Sequence, residues 1–185
     1  MPFIDVIQPE QAKGELKEIY EQLKQQRGKI AEVHKIQSLN PESITRHMDL
    51  YMSLLFGKSP LKRYQREMIA VVVTAANNCE YCQLHHGEAL NHYWKDEERV
   101  KKLRTDFTTA GLDNPDELLC QLAWNLTQKP SDNNKGQVKE LKNAGFSDRA
   151  VLDATLIVGY FNFVNRIVMG LSAEPDAQEV KGYEY

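Results

Sequence analysis

The chain has 185 residues, 42% of them hydrophobic, and a formal net charge of −3. That length suits one domain or two fused halves, and the apolar share is enough for a buried core. Scattered, nearly balanced charge argues against a nucleic-acid binder, and three cysteines do not make a disulfide framework. The N-terminal MPFIDVIQPEQ lacks the basic-then-apolar pattern of a signal peptide. The apolar runs MIAVVVTAA (68–76) and ATLIVGYFNFV (154–164) are too short to cross a bilayer as helices. A cytoplasmic protein with no membrane partner is expected. In a reducing cytosol, a close cysteine pair is more often catalytic or metal-binding than structural.

In chain order, nearly every segment reads as helix, opened by a polar cap or a proline at the first position. Pro9 to Arg27 carries Ala12, Leu16, Ile19, Tyr20 and Leu23 on one stripe, and Gly28 ends it. Asn40-Pro41 opens a second helix with Ile44, Met48, Tyr51, Met52 and Leu55, closed by Gly57. Ser59-Pro60 opens a third, running to Ala76. Asn77 or Asn78 caps a fourth, from Cys79 to Trp94, and Asp96 caps a short charged one to Thr105. Asn114-Pro115 begins another, with Leu118, Leu119, Leu122, Ala123 and Leu126 inward. A further piece spans Gln137 to Ala144, and Ser147 caps a long final helix to Met169. The tail AEPDAQEVKGYEY reads as a loose or partner-docked end.

The three consecutive valines of MIAVVVTAA favour a strand by propensity. No turn separates them from the helical KRYQRE, and a helix apolar all round is a buried one. The fold class is therefore all-α: a compact helical bundle, read as one domain overall. It divides into an N-terminal helical segment (1–58), a core (59–170) holding the motif helix 79–94, and a C-terminal tail (171–185). Segments 59–78 and 147–165 both start with Ser, carry an acid (Glu67 or Asp153) and then turn apolar, a hint of two related halves.

Chemistry concentrates in NNCEYCQLHHGEAL (77–90). At 3.6 residues per turn, Cys79 and Cys82 share a helix face with α-carbons roughly 5 Å apart, within disulfide reach. Cys79 falls in the first turn, where free backbone N–H groups favour a thiolate. His86 lies four residues after Cys82 on the same stripe, placed for proton transfer; His85 lies to one side. Glu67, on the preceding helix, is the candidate to orient His86 if the chain turns back at Asn77-Asn78. The bland reading makes Glu67 an ordinary surface acid. Zinc is the chemical rival, but Cys79 and His86 are roughly 10 Å apart along the axis, and a fourth ligand is lacking. Neither a metal nor a cofactor is expected. Cys120 reads as core packing, and His34, His47 and His92 as ordinary surface or half-buried histidines. Gly87 reads as the mark of a close helix approach, from this chain or a second subunit.

The spacing of Glu67, Cys79-x-x-Cys82 and His86 within REMIAVVVTAANNCEYCQLHHGEAL resembles the motif of the alkylhydroperoxidase D (AhpD-like) family, part of the carboxymuconolactone decarboxylase superfamily. The flanks SPLKRYQRE, GYFNFVNRIVMGL and PEQAKGELKEIYEQLK look like its peroxidase-related subgroup. The resemblance implies an all-helical homo-oligomer, commonly a trimer or hexamer. It implies thiol-dependent reduction of a hydroperoxide, or transfer of reducing equivalents between a thiol or protein dithiol reductant and a peroxiredoxin partner. Glu67 and His86 become the proton relay, Cys82 the thiol it activates and Cys79 its partner. One departure is Tyr81, where the best-known members carry a second histidine. Its hydroxyl can donate a hydrogen bond but cannot shuttle protons near neutral pH.

Two other readings stand beside this one: a decarboxylase-branch enzyme on the same scaffold, which needs no dithiol, and a non-enzymatic redox- or zinc-responsive helical oligomer. In FNFVNR, Asn162, Asn165 and Arg166 share a helix face. The bland reading is hydrogen bonding at a subunit contact; the sharper one places Asn165 or Arg166 against the thiols.

Overall fold

The computed structural model describes residues 1–132, 134–174 and Glu179. Among these, nine α-helices and no strand are found. They are α1 (Gly14–Arg27), α2 (Glu32–Lys35), α3 (Pro41–Tyr51), α4 (Arg63–Ala76), α5 (Glu80–Trp94), α6 (Glu97–Thr105), α7 (Asn114–Gln128), α8 (Lys135–Asn143) and α9 (Asp148–Leu171). The fold is all-α.

The valine run is helical and lies at the centre. Met68 to Val73 of α4 are each at most 1% exposed, and α5, α7 and α9 pack around it. A helix apolar on every face has no stable place except inside others. Phe161 and Ile157 of α9, Leu119 and Leu122 of α7 and Leu90 of α5 complete the core. A smaller cluster joins α1 to α3 through Leu16, Ile19, Tyr20, Leu23, Ile44 and Met48.

Several expected boundaries shift for local reasons. The first helix begins at Gly14, not Pro9; residues Pro9–Gln11 form a single 3-10 turn, and Gly14 takes a left-handed φ of 53° that redirects the chain. The second ends at Tyr51 and continues as a π-turn, Met52–Phe56. The third begins at Arg63 rather than Pro60, its Lys62 N–H held by the Gln65 side chain at 2.9 Å. Ser59 lies in the loop before it and donates to Asp153 of α9. Ser147 does cap α9, its Oγ accepting from the Ala150 N–H at 3.2 Å. The short helix α2 was not expected. The tail 171–185 lies largely outside the described residues.

The final helix is longer than its apolar run. α9 spans 24 residues and is long and apolar enough to cross a membrane by length and composition. That differs from the expectation of a segment too short to span. Its inner face is nevertheless core, with Ala154, Ile157 and Phe161 fully buried and a buried Asn165 among them.

Arg66 of α4 holds the π-turn in place. Its guanidinium donates to the carbonyls of Leu55 (2.9 Å), Gly57 (2.8 Å), Leu54 (3.3 Å) and Leu61 (3.1 and 3.2 Å). A buried carbonyl without a donor costs about 1–3 kcal/mol, so one side chain stabilises an irregular loop that its own backbone leaves unsatisfied. Gly57 is required for a second reason: a Cβ there would sit 2.3 Å from the Ser53 carbonyl oxygen. Replacing Arg66 by Met should cost about 3 kcal/mol and lower the thermal midpoint by roughly 6–12 °C. Differential scanning calorimetry of the two proteins measures this, and an unchanged midpoint would contradict the role.

Candidate active site

Cys79 sits at the N-cap of α5, in an extended conformation, not in its first turn. The chain reverses before it through Asn78, which adopts a left-handed φ of 56°; asparagine is one of the few residues that does so at low cost. Neither asparagine caps the helix as expected. Asn77 instead donates to Asn162 (3.1 Å) and Asn165 (2.9 Å) of α9. Asn162 in turn donates to Thr127 of α7 at 3.1 Å. This amide cluster ties the α4–α5 turn to the core and so fixes where the motif begins.

The two sulfurs are 3.0 Å apart, both reduced and both at most 2% exposed. They titrate as a pair. A hydrogen bond from Cys82 is the main influence lowering the Cys79 pKa, with the Cys82 backbone N–H adding to it. The Cys82 pKa is pushed well up, by that same pairing and then by burial. One thiolate shared over two sulfurs is the expected outcome of such coupling, with Cys79 carrying the charge. The Asn165 amide acts on Cys82 in the opposite sense, lowering its pKa. Asn165, on α9, is fully buried. Arg166 is exposed, its guanidinium bonded to Asn162 of its own helix.

Glu67 and His86 meet. The His86 Nδ1 lies 2.7 Å from Glu67 Oε2, joining α4 to α5 inside the core. Glu67 is wholly buried, which alone would raise its pKa; the neighbouring His86 and Arg63 outweigh burial and hold the carboxyl below its ordinary value. Arg63 approaches the other carboxylate oxygen to 2.7 Å, an ion pair by distance without hydrogen-bond alignment. Packed edge-on beneath His86, 4.5 Å between centroids, is Phe161. Glu67 is therefore not a surface acid.

Cys82, His85 and His86 open onto a cavity of about 90 Å³. Its walls are mostly apolar and aromatic, including Tyr51, Tyr160, Phe161 and Val164. His34 and His47 also line it, buried where surface or half-buried positions were expected. Nothing in the local sequence marks them, because α2 and α3 reach the site only by tertiary packing. Cys79 does not line this cavity; Cys82 is the sulfur that faces it. Cys120 is fully buried in the core, and His92 is exposed. Gly87 faces Val100 and Arg104 of α6 at ordinary contact distance, so the approach comes from this chain and leaves room for a Cβ.

Residues 41–106 match the family model for the carboxymuconolactone decarboxylase family. That matched segment holds α3 to α6, and with them Glu67, Cys79, Cys82 and His86. The fold of the chain is similar to that of a peroxidase-related protein from Silicibacter sp. TM1040, 27% identical, with a TM-score of 0.83 over 97% of this chain and 91% of that one. A peroxidase-related protein with an alkylhydroperoxidase AhpD core, from Ralstonia eutropha JMP134, is 20% identical with a TM-score of 0.87, covering 97% and 94%. The debrominase Bmp8 is 17% identical with a TM-score of 0.78, covering 97% and 98%. The last two are likenesses of fold. No curated protein sequence matches the chain.

Tyr81, between the two cysteines, is buried and fully engaged. Its hydroxyl donates to Glu179 and accepts from the Val33 N–H at 3.3 Å, and its ring lies 4.5 Å from that of His85. Glu179 also accepts from the Glu32 N–H at 3.0 Å and stands 3.5 Å from His85 Nε2. Burial raises the Glu179 pKa, against the hydrogen bonds from Tyr81 and Glu32. Sequence reasoning missed Glu179 because it lies 98 residues from Tyr81 with no motif around it. Among the described residues, no three His, Cys, Asp or Glu side chains stand together as metal ligands.

Three histidines at this cavity have strongly lowered pKa values, in each case first through burial: His34 to about 3, His47 to about 4 and His85 to about 3. In the unfolded chain they would titrate near 6.5. Folding therefore excludes their protons, and the stability they contribute is complete above pH 6.5 and is lost as pH falls towards 4. Denaturant unfolding at pH 7, 5.5 and 4.5 should give a free energy falling with a slope that approaches three protons. A flat profile across that window would show these imidazoles to be solvated.

Proposed function

We propose that the chain is a dithiol oxidoreductase that reduces organic hydroperoxides, with the Cys79–Cys82 pair as its redox centre. The observation that carries the reading is the juxtaposition of two reduced sulfurs at 3.0 Å with a buried Glu67–His86 pair at 2.7 Å. Cys82 faces the cavity and is the sulfur a bound peroxide meets. Its proton passes to His86, whose charge Glu67 balances. The Cys82 thiolate attacks the terminal peroxide oxygen, the O–O bond breaks, and the alkoxide takes the proton from His86 to leave as alcohol. Cys82 is then a sulfenic acid. Cys79, the more acidic sulfur, attacks it as thiolate; the disulfide forms and hydroxide leaves as water with one proton. The sum is dithiol plus hydroperoxide giving disulfide, alcohol and water.

A thiol or protein dithiol reductant reopens the disulfide by exchange, and a peroxiredoxin is a candidate partner for the same dithiol. We place the cycle in the cytoplasm, where such reductants are abundant. Reduced protein mixed with one equivalent of cumene hydroperoxide should lose two thiols and regain them with dithiothreitol. Mass spectrometry should find a sulfenic acid in Cys79→Ser and none in Cys82→Ser. His86→Gln should slow thiol loss by about 10²-fold or more. No thiol loss in hours from metal-free protein would end the peroxidase reading, and a sulfenic acid only in Cys82→Ser would reverse the order of the sulfurs.

A second reading is reductive dehalogenation of an aromatic ring, favoured by the aromatic walls beside Cys82 and by the likeness to a debrominase fold. It would convert the same dithiol to the same disulfide while releasing halide, so halide detection separates the two.

Leu152, Leu156, Phe163 and Met169 of α9 are all more than 40% exposed. Leu152, Leu156 and Phe163 repeat at four and seven residues, an apolar stripe on the face opposite the core. We propose that a second copy of the chain covers it, as the resemblance to an oligomeric family leads one to expect. Multi-angle light scattering should give a multiple of 21.3 kDa, reduced by Leu156→Glu. A monomeric mass for the native protein would exclude this.

A further inference from the structure

The direction of one proton in the cavity wall can be worked out from its neighbours. The Gln37 side-chain atom 2.6 Å from the Val33 carbonyl must be the amide nitrogen, since a carbonyl oxygen only accepts. That nitrogen has a second hydrogen, and His47 Nδ1 lies 2.9 Å away. Nδ1 is thus an acceptor, and the proton of the neutral imidazole sits on Nε2. His47 is neutral at pH 7, burial having lowered its pKa to about 4. Nε2–H therefore donates to the Tyr160 hydroxyl oxygen at 2.7 Å.

The Tyr160 hydroxyl then has its own hydrogen left over. No described residue accepts it, and Tyr160 is only 6% exposed. That hydrogen is free to bond an acceptor that enters the cavity. Tyr160 lines the cavity onto which Cys82 and His86 open. Burial pushes its pKa well above the ordinary value, so it keeps its proton and can offer it to a ligand.

We propose that Tyr160 is the oxygen-recognising donor of the cavity, its hydroxyl hydrogen-bonded to the oxygen that becomes the alcohol when a hydroperoxide is reduced. Gln37 and His47 are positioning residues that aim it. In the proposed reaction, negative charge develops on that oxygen as the O–O bond breaks, and a fixed donor strengthens as it does so. The proton that completes the alcohol still comes from His86; Tyr160 gives none up. The aromatic walls suit the organic group, which makes the preferred ligand a compact hydroperoxide or alcohol with an apolar, ring-bearing body. The reaction step rests on the peroxidase reading, whereas the recognition of an oxygen acceptor does not.

The test uses 2-phenylpropan-2-ol, the alcohol that cumene hydroperoxide leaves. Calorimetric titration into reduced wild-type protein should detect binding, weakened roughly five- to tenfold in Tyr160→Phe. The second-order rate of thiol loss with cumene hydroperoxide should fall by at least as much. A 15N spectrum of histidine-labelled wild-type protein at pH 7 should place the His47 proton on Nε2, a readout that does not depend on how the variant folds. Equal affinities, no binding to the wild type, or a His47 proton on Nδ1 would each overturn the proposal. Weakened alcohol binding without any thiol loss from the wild type would instead reject the peroxidase reading and leave Tyr160 in place.

Discussion

The buried hydrogen bond between Glu67 and His86 is the constraint on which the site depends. A carboxylate at the centre of an apolar bundle is costly unless a charge partner and hydrogen bonds meet it. Here the partners come from two directions: Arg63 one turn earlier on α4, and His86 on α5. Their combined attraction outweighs the burial of Glu67. Because α4 is locked on all sides by α5, α7 and α9, Glu67 cannot follow a displaced His86. The pair therefore fixes the rotation of α5 about its own axis, and with it the direction in which Cys82 faces.

The same helix serves the dithiol at its other end. The turn through Asn77 and Asn78 puts Cys79 at the N-cap, where the nearby Cys82 backbone N–H helps to lower its pKa. Acidity and access are thereby divided between the two cysteines. Cys79 is the more acidic but faces away from the cavity; Cys82 faces the cavity but holds its proton. A dithiol split in this way needs a base on the Cys82 side, and His86 is one helical turn along.

The cavity wall is built by elements far from the motif. Arg66 pins the π-turn after α3 and so places Tyr51 and α3 over the site. α2 brings His34, α3 brings His47, and α9 brings Tyr160 and Phe161. The wall thus carries neutral imidazoles and a phenol. Behind the motif, the Tyr81 hydroxyl is occupied by Glu179 and the Val33 N–H.

The sequence by itself determined the helical class, the buried central helix and the shared face of the two cysteines. All three rest on short-range periodicity: 3.6-residue spacing sets which side chains share a face, and the Ser147 and Asp96 caps are local hydrogen bonds. The pairing of Glu67 with His86, across two helices, was implied by the family resemblance and not by that spacing. Several boundaries went astray where backbone geometry overrode the pattern, among them the left-handed Gly14 and the π-turn that Arg66 supports. Only the tertiary structure decided which sulfur meets the cavity, that His34 and His47 are buried in its wall, and that Glu179 answers Tyr81. Those outcomes depend on contacts between residues 48 to 113 positions apart. No local period encodes them, because they are set by how amphipathic faces settle against one common core.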